Sequence, residues 1–352
     1  MKDGILILNK PQEWTSSDCV AICRRALGVA GIKKVGHGGT LDPMATGVLP
    51  IFVGQATRIM EYLELDYKTY ICTARLGTIT DTLDIWGQVI EQRPVEEYVK
   101  LELIEEILRD ALSDFMGNIE QIPPKYSAVR INGKRLYEYA YSGEEIDVEV
   151  KPRKAHISHI ELMNVSGIEF TFKVTCSKGT YIRTICSDLG EKLGCGCVMT
   201  ALRREQVGNI SLNMKMADTG AVQVPDARQV KQLIEDAGTD EEAKRQVAET
   251  LESLFLSADY PLIHFGVATM SSDRALYFSR GNAIRLKQIE IKKRPDIPVN
   301  EETGQMPCNA RGRRYDCIYK IYEKETGTFL GTGFLDERAK EMKADKVFVS
   351  KR

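Results

Sequence analysis

Four glycines and two prolines fall within the fifteen residues Gly36-His37-Gly38-Gly39-Thr40-Leu41-Asp42-Pro43-Met44-Ala45-Thr46-Gly47-Val48-Leu49-Pro50. Such a stretch cannot propagate a helix, because proline lacks the amide donor and glycine loses the most backbone entropy on ordering. It also interrupts a strand too often to continue one, so the pattern predicts a shaped loop. Asp42 is its one carboxylate, with a proline directly after it. Asp-Pro is a common turn initiator, and a simple turn accounts for many such pairs. A phosphate-cradling P-loop is the other glycine-rich reading, but the Gly-Lys-Ser/Thr ending is absent. What stays open is a loop whose backbone and short side chains can come close to a ligand.

At 352 residues the chain is long enough for two domains and a substantial core. No apolar run approaches the ~20 residues of a membrane span. The N-terminal run Ile5-Leu6-Ile7-Leu8 is too short for a secretory signal, so a cytoplasmic protein is expected. Nine cysteines are scattered and odd in number, and no CxxC pair occurs. That fits small buried thiols in a reducing compartment. His156 and His159 have a spacing that suits a metal, yet no neighbouring thiol or carboxylate completes a tetrahedral set, and no metal site is expected.

A net charge of −2 does not announce a nucleic-acid partner, so the distribution matters more than the sum. Residues 1–222 carry 26 Lys+Arg against 29 Asp+Glu, residues 223–262 carry 4 against 9, and residues 263–352 carry 18 against 12. The basic part is therefore C-terminal, with Lys292-Lys293-Arg294 and Arg311-Gly312-Arg313-Arg314 as clusters in a loop-like stretch. Such runs are usually solvated surface, but phosphate contacts to an RNA would come from here.

Gly4 to Asn9 reads as a short buried strand, and Ser16 or Ser17 as the cap of a helix carrying Val20, Cys23 and Leu27 up to Gly28. Lys68 to Leu76 reads as a strand with Tyr70, Cys72 and Ala74 on one face. Residues 95–116 give the clearest helical period, through Leu101, Ile104, Leu108, Ala111 and Phe115, with Gly117 as a stop. Phe170, Phe172, Val174 and Cys176 alternate along a strand into the turn Ser177-Lys178-Gly179. Ile185, Leu189 and Leu193 then mark a helix ending at Gly194, so Tyr181 and Arg183 sit where strand gives way to helix. Without a regular βαβ repeat, this mixture predicts an α/β (α+β) chain with a mixed, largely antiparallel sheet flanked by helices. Residues 223–260 read as an acidic helical connector. After it, short β-type runs (Leu276-Tyr277-Phe278, Cys317 to Tyr322, Thr328 to Phe334, Val347-Phe348-Val349) predict a small β-domain over 261–352.

Leu8-Asn9-Lys10-Pro11, the Gly36–Pro50 stretch and Gly54-Gln55-Ala56-Thr57-Arg58 resemble the TruB family of tRNA pseudouridine-55 synthases. Tyr70 to Gly77, Pro123-Pro124-Lys125-Tyr126-Ser127-Ala128, Ser177 to Thr184 and Leu202-Arg203-Arg204 continue the resemblance in order, through roughly the first two-thirds of the chain. It implies the pseudouridine synthase fold over 1–222. The Ser279-Arg280-Gly281-Asn282 turn resembles a PUA domain, a small β-barrel-like RNA-binding unit, over 261–352. A small β-barrel without an RNA role is the alternative there, because the polar segment 287–314 departs from the compact pattern.

Pseudouridine formation is an isomerisation: the N1–C1′ bond breaks, the uracil rotates, and C5 bonds to C1′. No group is donated, so the resemblance implies no cofactor. A carboxylate suits the required nucleophile, being ionised at neutral pH and able to leave again. By resemblance that nucleophile is Asp42, attacking C1′ of the ribose or C6 of the base. Arg183 is implied as its cationic partner, countering the desolvation that would otherwise neutralise the carboxylate. Tyr70 is implied to stack on the uracil or to take the C5 proton. His37 is implied to fill the space vacated by a flipped base, whose extraction costs about a few kcal/mol, or to stack beneath that base. Tyr181 and Leu202 are implied to line the pocket, Asp84 to hydrogen-bond the uracil edge, and Lys10 to support the loop or contact RNA.

The implied substrate is the T-arm stem-loop of tRNA, whose splayed loop bases are what sequence-specific RNA recognition targets. A monomer without an obligate protein partner is expected, with tRNA folding as a possible secondary activity. Three other classes compete. An RNA-binding module has no need of Asp42, a metal or nucleotide hydrolase lacks its ligands and Walker lysine, and related uridine isomerases fit the Gly36–Pro50 stretch less well.

Overall fold

The computed structural model describes residues 3–142, 150–216, 220–221, 224–299, 306–309 and 312–348. Gln223 of the connector, residues 300–305 and 310–311 of the polar segment (with Arg311 of the second basic cluster) and Val349 of the last apolar run lie outside the described residues.

Chain order begins with β1 (Gly4–Lys10), α1 (Ser16–Gly28), β2 (Val35–His37), β3 (Thr46–Val53) and β4 (Lys68–Leu76). A hairpin of β5 (Thr78–Thr80) and β6 (Val89–Gln92) follows, then α2 (Ile104–Ser113) and β7 (Gly117–Gln121). The short pair β8 (Arg130–Ile131) and β9 (Lys134–Arg135) leads into α3 (Leu136–Ser142). β10 (Arg153–Ser166), β11 (Glu169–Cys176), α4 (Ile182–Leu193), β12 (Cys197–Val207) and β13 (Ile210–Ser211) complete the main sheet. A small ladder of β14 (Lys215–Met216) and β15 (Gly220–Ala221) precedes α5 (Ala227–Ala237) and α6 (Glu241–Ser253).

The main sheet runs β1-β3-β12-β4-β11-β10-β7, with β2 on β3 and β13 on β12. Among the described residues its pairings are antiparallel except β3 with β12. The expected mixed, largely antiparallel sheet flanked by helices is what forms. One face of the central strands packs on α2 and α4 through Cys72, Ala74, Leu108, Phe172, Ile185 and Leu189. β1 and β3 are buried on both faces, which explains their nearly unbroken apolar runs. Leu6, Leu8, Leu49 and Ile51 meet α1, α5 and α6, while Ile5, Ile7, Val48 and Phe52 meet the 3₁₀ segment Gly54–Leu65 and the C-terminal unit. The acidic segment is thus helical and applied to the core: Ala227, Val230, Ile234 and Leu251 pack with Cys19, Cys23 and Leu27 of α1. Ile5 and Leu256 also exchange both backbone bonds.

The C-terminal unit is a curled six-stranded half-barrel, β17-β21-β20-β19-β16-β18. Its elements are β16 (Gly266–Met270), α7 (Ser272–Ser279), β17 (Ile284–Arg285), β18 (Glu290–Lys293), β19 (Ile318–Glu323), β20 (Phe329–Asp336) and β21 (Glu341–Val347).

Several local expectations are corrected. The Gly36–Pro50 stretch is a loop only at its centre, because both ends are strands. Pro50 is tolerated within β3 because its carbonyl accepts from Gly38 N, so its missing donor faces the place where β2 has ended. Gly47 has φ +106°, and a β-carbon there would lie 2.2 Å from the Arg204 carbonyl oxygen, so only glycine lets β3 run against β12. The 95–116 helix shrinks to α2. Lys100 is extended (φ −71°, ψ 112°), which blocks helical continuation and leaves Leu101 exposed on a 3₁₀ turn. Leu276-Tyr277-Phe278 is helical, because Ala275 and Phe278 at a three-residue spacing reach the core while Leu276 and Tyr277 face solvent. The cap of α1 is Thr15, in a capping box with Asp18, rather than Ser16 or Ser17.

Asp66 closes the 3₁₀ segment at the seam between the two units and is only 3 % exposed. Its Oδ2 has no hydrogen-bond partner among the described residues, and His264 Nε2 lies 3.7 Å from Oδ1. Burial pushes this carboxyl up to about 7. The native state therefore holds a proton that the unfolded chain releases near pH 4, and stability should fall as pH rises from about 4 to 7. The limiting slope is about 1.4 kcal/mol per pH unit. Asp66→Asn should flatten that slope and exceed the parent's stability at pH 8. Urea melts across pH 5–8 check it, and an unchanged slope would clear Asp66 of the effect.

Candidate active site

The loop that carries Asp42 is clamped by side chains from three elements. From α1, Ser16 Oγ accepts from Leu41 N (2.9 Å) and donates to Leu41 O (3.1 Å), fixing the residue before Asp42. From β1, Lys10 Nζ donates to the carbonyls of Pro11 (2.9 Å), Trp14 (2.6 Å) and Pro43 (3.2 Å), fixing the residue after it. From β12, Arg204 spreads its guanidinium over the carbonyls of Val48 (2.8 Å), Thr40 (3.3 Å) and Gly39 (3.0 Å). Within the loop, Ala45 N donates to Asp42 O (3.0 Å), closing a turn with proline at its favoured second position. Leu41, Met44 and Ala45 anchor it in the core.

Asp42 and Arg183 meet as expected, Oδ2 to Nη2 at 3.0 Å. The arginine side chain is 5 % exposed and the aspartate side chain 38 %, so the carboxylate keeps an open side while its partner is sealed. Arg183 projects from the first turn of α4 and also donates to Thr82 O (3.0 Å) and Tyr126 O (2.9 Å). Its cationic fork thereby ties four separate segments together.

Asp84 lies on another side of the same guanidinium, 3.7 Å away. Its Oδ1 accepts from Thr82 Oγ1 (2.8 Å) and Trp86 N (3.1 Å), and burial raises its pKa. Placed so, Asp84 is a second carboxylate for Arg183, where an edge-reading contact to a base was expected. Lys10 is fully buried, and burial pulls its ammonium down to about 8. Of its two expected roles, loop support is the one its position serves, and a direct RNA contact is out of reach.

Tyr70, on β4, is 8 % exposed and sits opposite Arg204 in the register of β12. Burial pushes its phenol up to about 12, with Arg204 opposing the shift. A neutral ring on this strand is suited to stacking. Leu202 joins Tyr70, Leu41 and Met44 in an apolar floor. Tyr181 is the N-cap of α4, with both its backbone groups held by Gln121 (2.9 and 3.2 Å). His37 ends β2, half-buried. Its Nδ1 has no partner among the described residues, and burial followed by Arg204 keeps the imidazole neutral.

Sequence reasoning did not single out Ser16 as a clamp or Arg204 as anything beyond part of a motif. The signal for Arg204 was its two-residue spacing from Leu202 along a strand, which puts both on one face. That a guanidinium could be fully buried there depends on three carbonyls brought in by β3 and the loop. Of the C-terminal basic clusters, Lys292 and Lys293 lie on the exposed edge strand β18, where lysine also serves to block edge pairing. Arg313 and Arg314 are committed to Asp345 and Asp316.

Residues 24–182 match the TruB family pseudouridylate synthase N-terminal domain, and residues 183–260 match the tRNA pseudouridylate synthase B C-terminal domain. The tRNA pseudouridine synthase B of Escherichia coli K12 is 35 % identical over 340 residues, covering 96 % of this chain and 93 % of that protein. The Shigella flexneri serotype 5b protein of the same name matches equally. An archaeal box H/ACA Nop10-Cbf5 complex shares the fold at a TM-score of 0.62 and 19 % identity, over 99 % of this chain and 86 % of the solved one. An H/ACA RNP bound to a substrate RNA containing 2′-deoxyuridine does so at 0.60 and 19 %, over 99 % and 85 %. Paired domain matches and near full-length identity to synthases, together with an aspartate held against an arginine on a clamped loop, lead to one conclusion: the chain belongs to the TruB family of pseudouridylate synthases.

Proposed function

We propose that this chain is a tRNA pseudouridine-55 synthase, acting on the T-arm stem-loop with Asp42 as nucleophile. The observation that carries the reading is the Asp42–Arg183 contact of 3.0 Å, with the carboxylate open on one side and its backbone immobilised on the other. Pre-positioning of this kind lowers the entropic part of the barrier, because the nucleophile does not have to be found. Arg183 supplies the carboxylate with a counter-charge and a fixed orientation when substrate excludes water. Tyr70 and Leu202 offer the base a flat apolar floor, Tyr181 adds a wall, and neutral His37 takes the place of the extracted nucleotide. Asp84 holds Arg183, and Lys10 holds the loop. The reaction needs no cofactor, and the protein acts as a cytoplasmic monomer. Residues 1–222 carry the chemistry, 223–260 support it, and 261–352 add RNA contacts as a PUA-like unit.

Release of tritium from C5-labelled uridine in an unmodified T-arm stem-loop tests the activity. A transcript with cytidine at position 55 is the control, and equal release from both would sink the positional assignment. Truncating 261–352 is a poor test of its contribution, since Phe265, Tyr315 and Ile318 share a core cluster with Ile5, Phe52 and Tyr62. Reversing charge at Lys292, Lys293 and Arg294, all exposed, avoids that problem. The triple glutamate variant should bind tRNA roughly ten-fold or more weakly and show a shallower salt dependence, with single-turnover chemistry at saturation unchanged. An unaltered salt slope in filter binding would assign these residues to edge protection instead.

A further inference from the structure

The charges around the Asp42 loop do not balance. Arg183 takes both carboxylates, Asp42 and Asp84. Arg204 and Lys10 donate to backbone carbonyls and close no ion pair among the described residues, although Asp42 and Asp18 act on Lys10 from farther off. Lys68 is a further cation. It opens β4, and the alternation of that strand places it on the face of Tyr70 and Cys72. Its Cε lies 3.7 Å from the position a β-carbon on Gly39 would occupy, and Arg204 Nη1 lies 3.6 Å from the same point. The lysine stem therefore rests against the Asp42 loop at Gly39, beside the buried guanidinium. Its ammonium is half-buried and closes no ion pair and no hydrogen bond among the described residues. Asp66 acts on it from beyond ion-pair distance, Arg204 and Lys178 repel it, and Cys176 flanks it.

A partly desolvated ammonium without a counter-ion is costly to keep, and burial with Arg204 pulls Lys68 down to about 8. An anion supplied by the substrate would relieve that cost. The anion that accompanies every nucleotide of an RNA is its backbone phosphate, and lysine binds phosphate as a point charge without demanding a fixed orientation. We infer that Lys68 is a positioning residue that grips a phosphate flanking the target uridine and so sets the depth at which that nucleotide enters the site. This rests on an RNA substrate at the Asp42 loop, as proposed above.

The test uses T-arm stem-loops carrying a neutral methylphosphonate at the phosphate 5′ or 3′ to the target uridine, with wild type, Lys68→Met and Lys68→Arg, each checked by thermal melting. Dissociation constants are measured across salt and pH, and single-turnover rates at saturation. Lys68→Met should weaken binding of the all-phosphate RNA by about ten-fold and reduce the salt slope by about 0.7 to 1. One of the two neutral linkages should weaken wild-type binding by a similar factor and have little further effect on Lys68→Met. Lys68→Arg should bind like wild type at pH 7 and escape the loss of affinity that wild type shows above pH 8. Additive effects of the variant and both neutral linkages would overturn the inference, leaving Lys68 as a partner of Asp66 only. Binding is read without turnover, so a wild type that binds the RNA but never isomerises it would sink the activity and leave this contact standing. A wild type that does not bind the stem-loop at all would overturn both.

Discussion

Asp42→Asn should lower single-turnover isomerisation of a T-arm stem-loop by at least about 10⁴-fold while leaving its dissociation constant within about three-fold. The amide is nearly isosteric but is neutral, and it neither attacks carbon nor leaves again as a carboxylate does. The fold around it should persist, because the loop is held through Leu41, Pro43, Thr40 and Gly39 by Ser16, Lys10 and Arg204, and none of these contacts uses the Asp42 side chain. Loss of chemistry without loss of binding or melting temperature is the expected pattern. Tritium release within ten-fold of wild type would remove Asp42 as the nucleophile.

Arg204→Met should have the largest effect on stability among substitutions at this site. It removes the side-chain donor from the buried Val48 carbonyl and from the half-buried carbonyls of Gly39 and Thr40. An orphaned buried acceptor costs about 1–3 kcal/mol, and the two half-buried bonds add less, so a loss of roughly 2–4 kcal/mol is expected, with Tm falling by about 4–12 °C. Arg204→Lys should recover little, since Val48, Thr40 and Gly39 are met by three different nitrogens of the fork, Nε, Nη1 and Nη2, whose spread a single ammonium lacks. Isomerisation should fall as well, because the loop would no longer hold its shape. A buried charge can also be a burden whose replacement by an apolar side chain stabilises. A rise in Tm for Arg204→Met would show that this is so here, and that the other clamps suffice to shape the loop.

Much of the fold was legible where a single periodicity dominated. The bounds of β4 follow from the alternation of Tyr70, Cys72 and Ala74, and the end of α4 from Gly194, whose φ of 83° suits glycine. Legibility failed where tertiary burial overrode a local pattern. Leu101 fits the helical stripe of 95–116 but stays in solvent because the chain bends at Lys100. Tyr277 carries high β-propensity yet lies in a helix, because Ala275 and Phe278 have a core to fill. Thr15 took the cap of α1 and released Ser16 to clamp Leu41, a choice that depends on a loop twenty-five residues further on.

The site divides the same way. Asp42 and Arg183 were recognisable because each sits in a motif whose residues are near neighbours in the chain. The purposes of Arg204 and Lys68 were not, and two roles stayed open for Lys10, because a charged side chain has no fixed role until its partners are known. The same lysine is a solvated strand end, a loop clamp or a phosphate grip depending on which carbonyls, carboxylates or open space surround it. Chain order alone determined the mixed architecture, the family and the two residues proposed to carry the chemistry, since local pattern and motif are properties of contiguous sequence. Which cations are neutralised, which are held by backbone, and which still await an anion was decided only in the folded state, where β1, β4, α1, α4 and β12 bring groups nearly two hundred residues apart into one low-dielectric space.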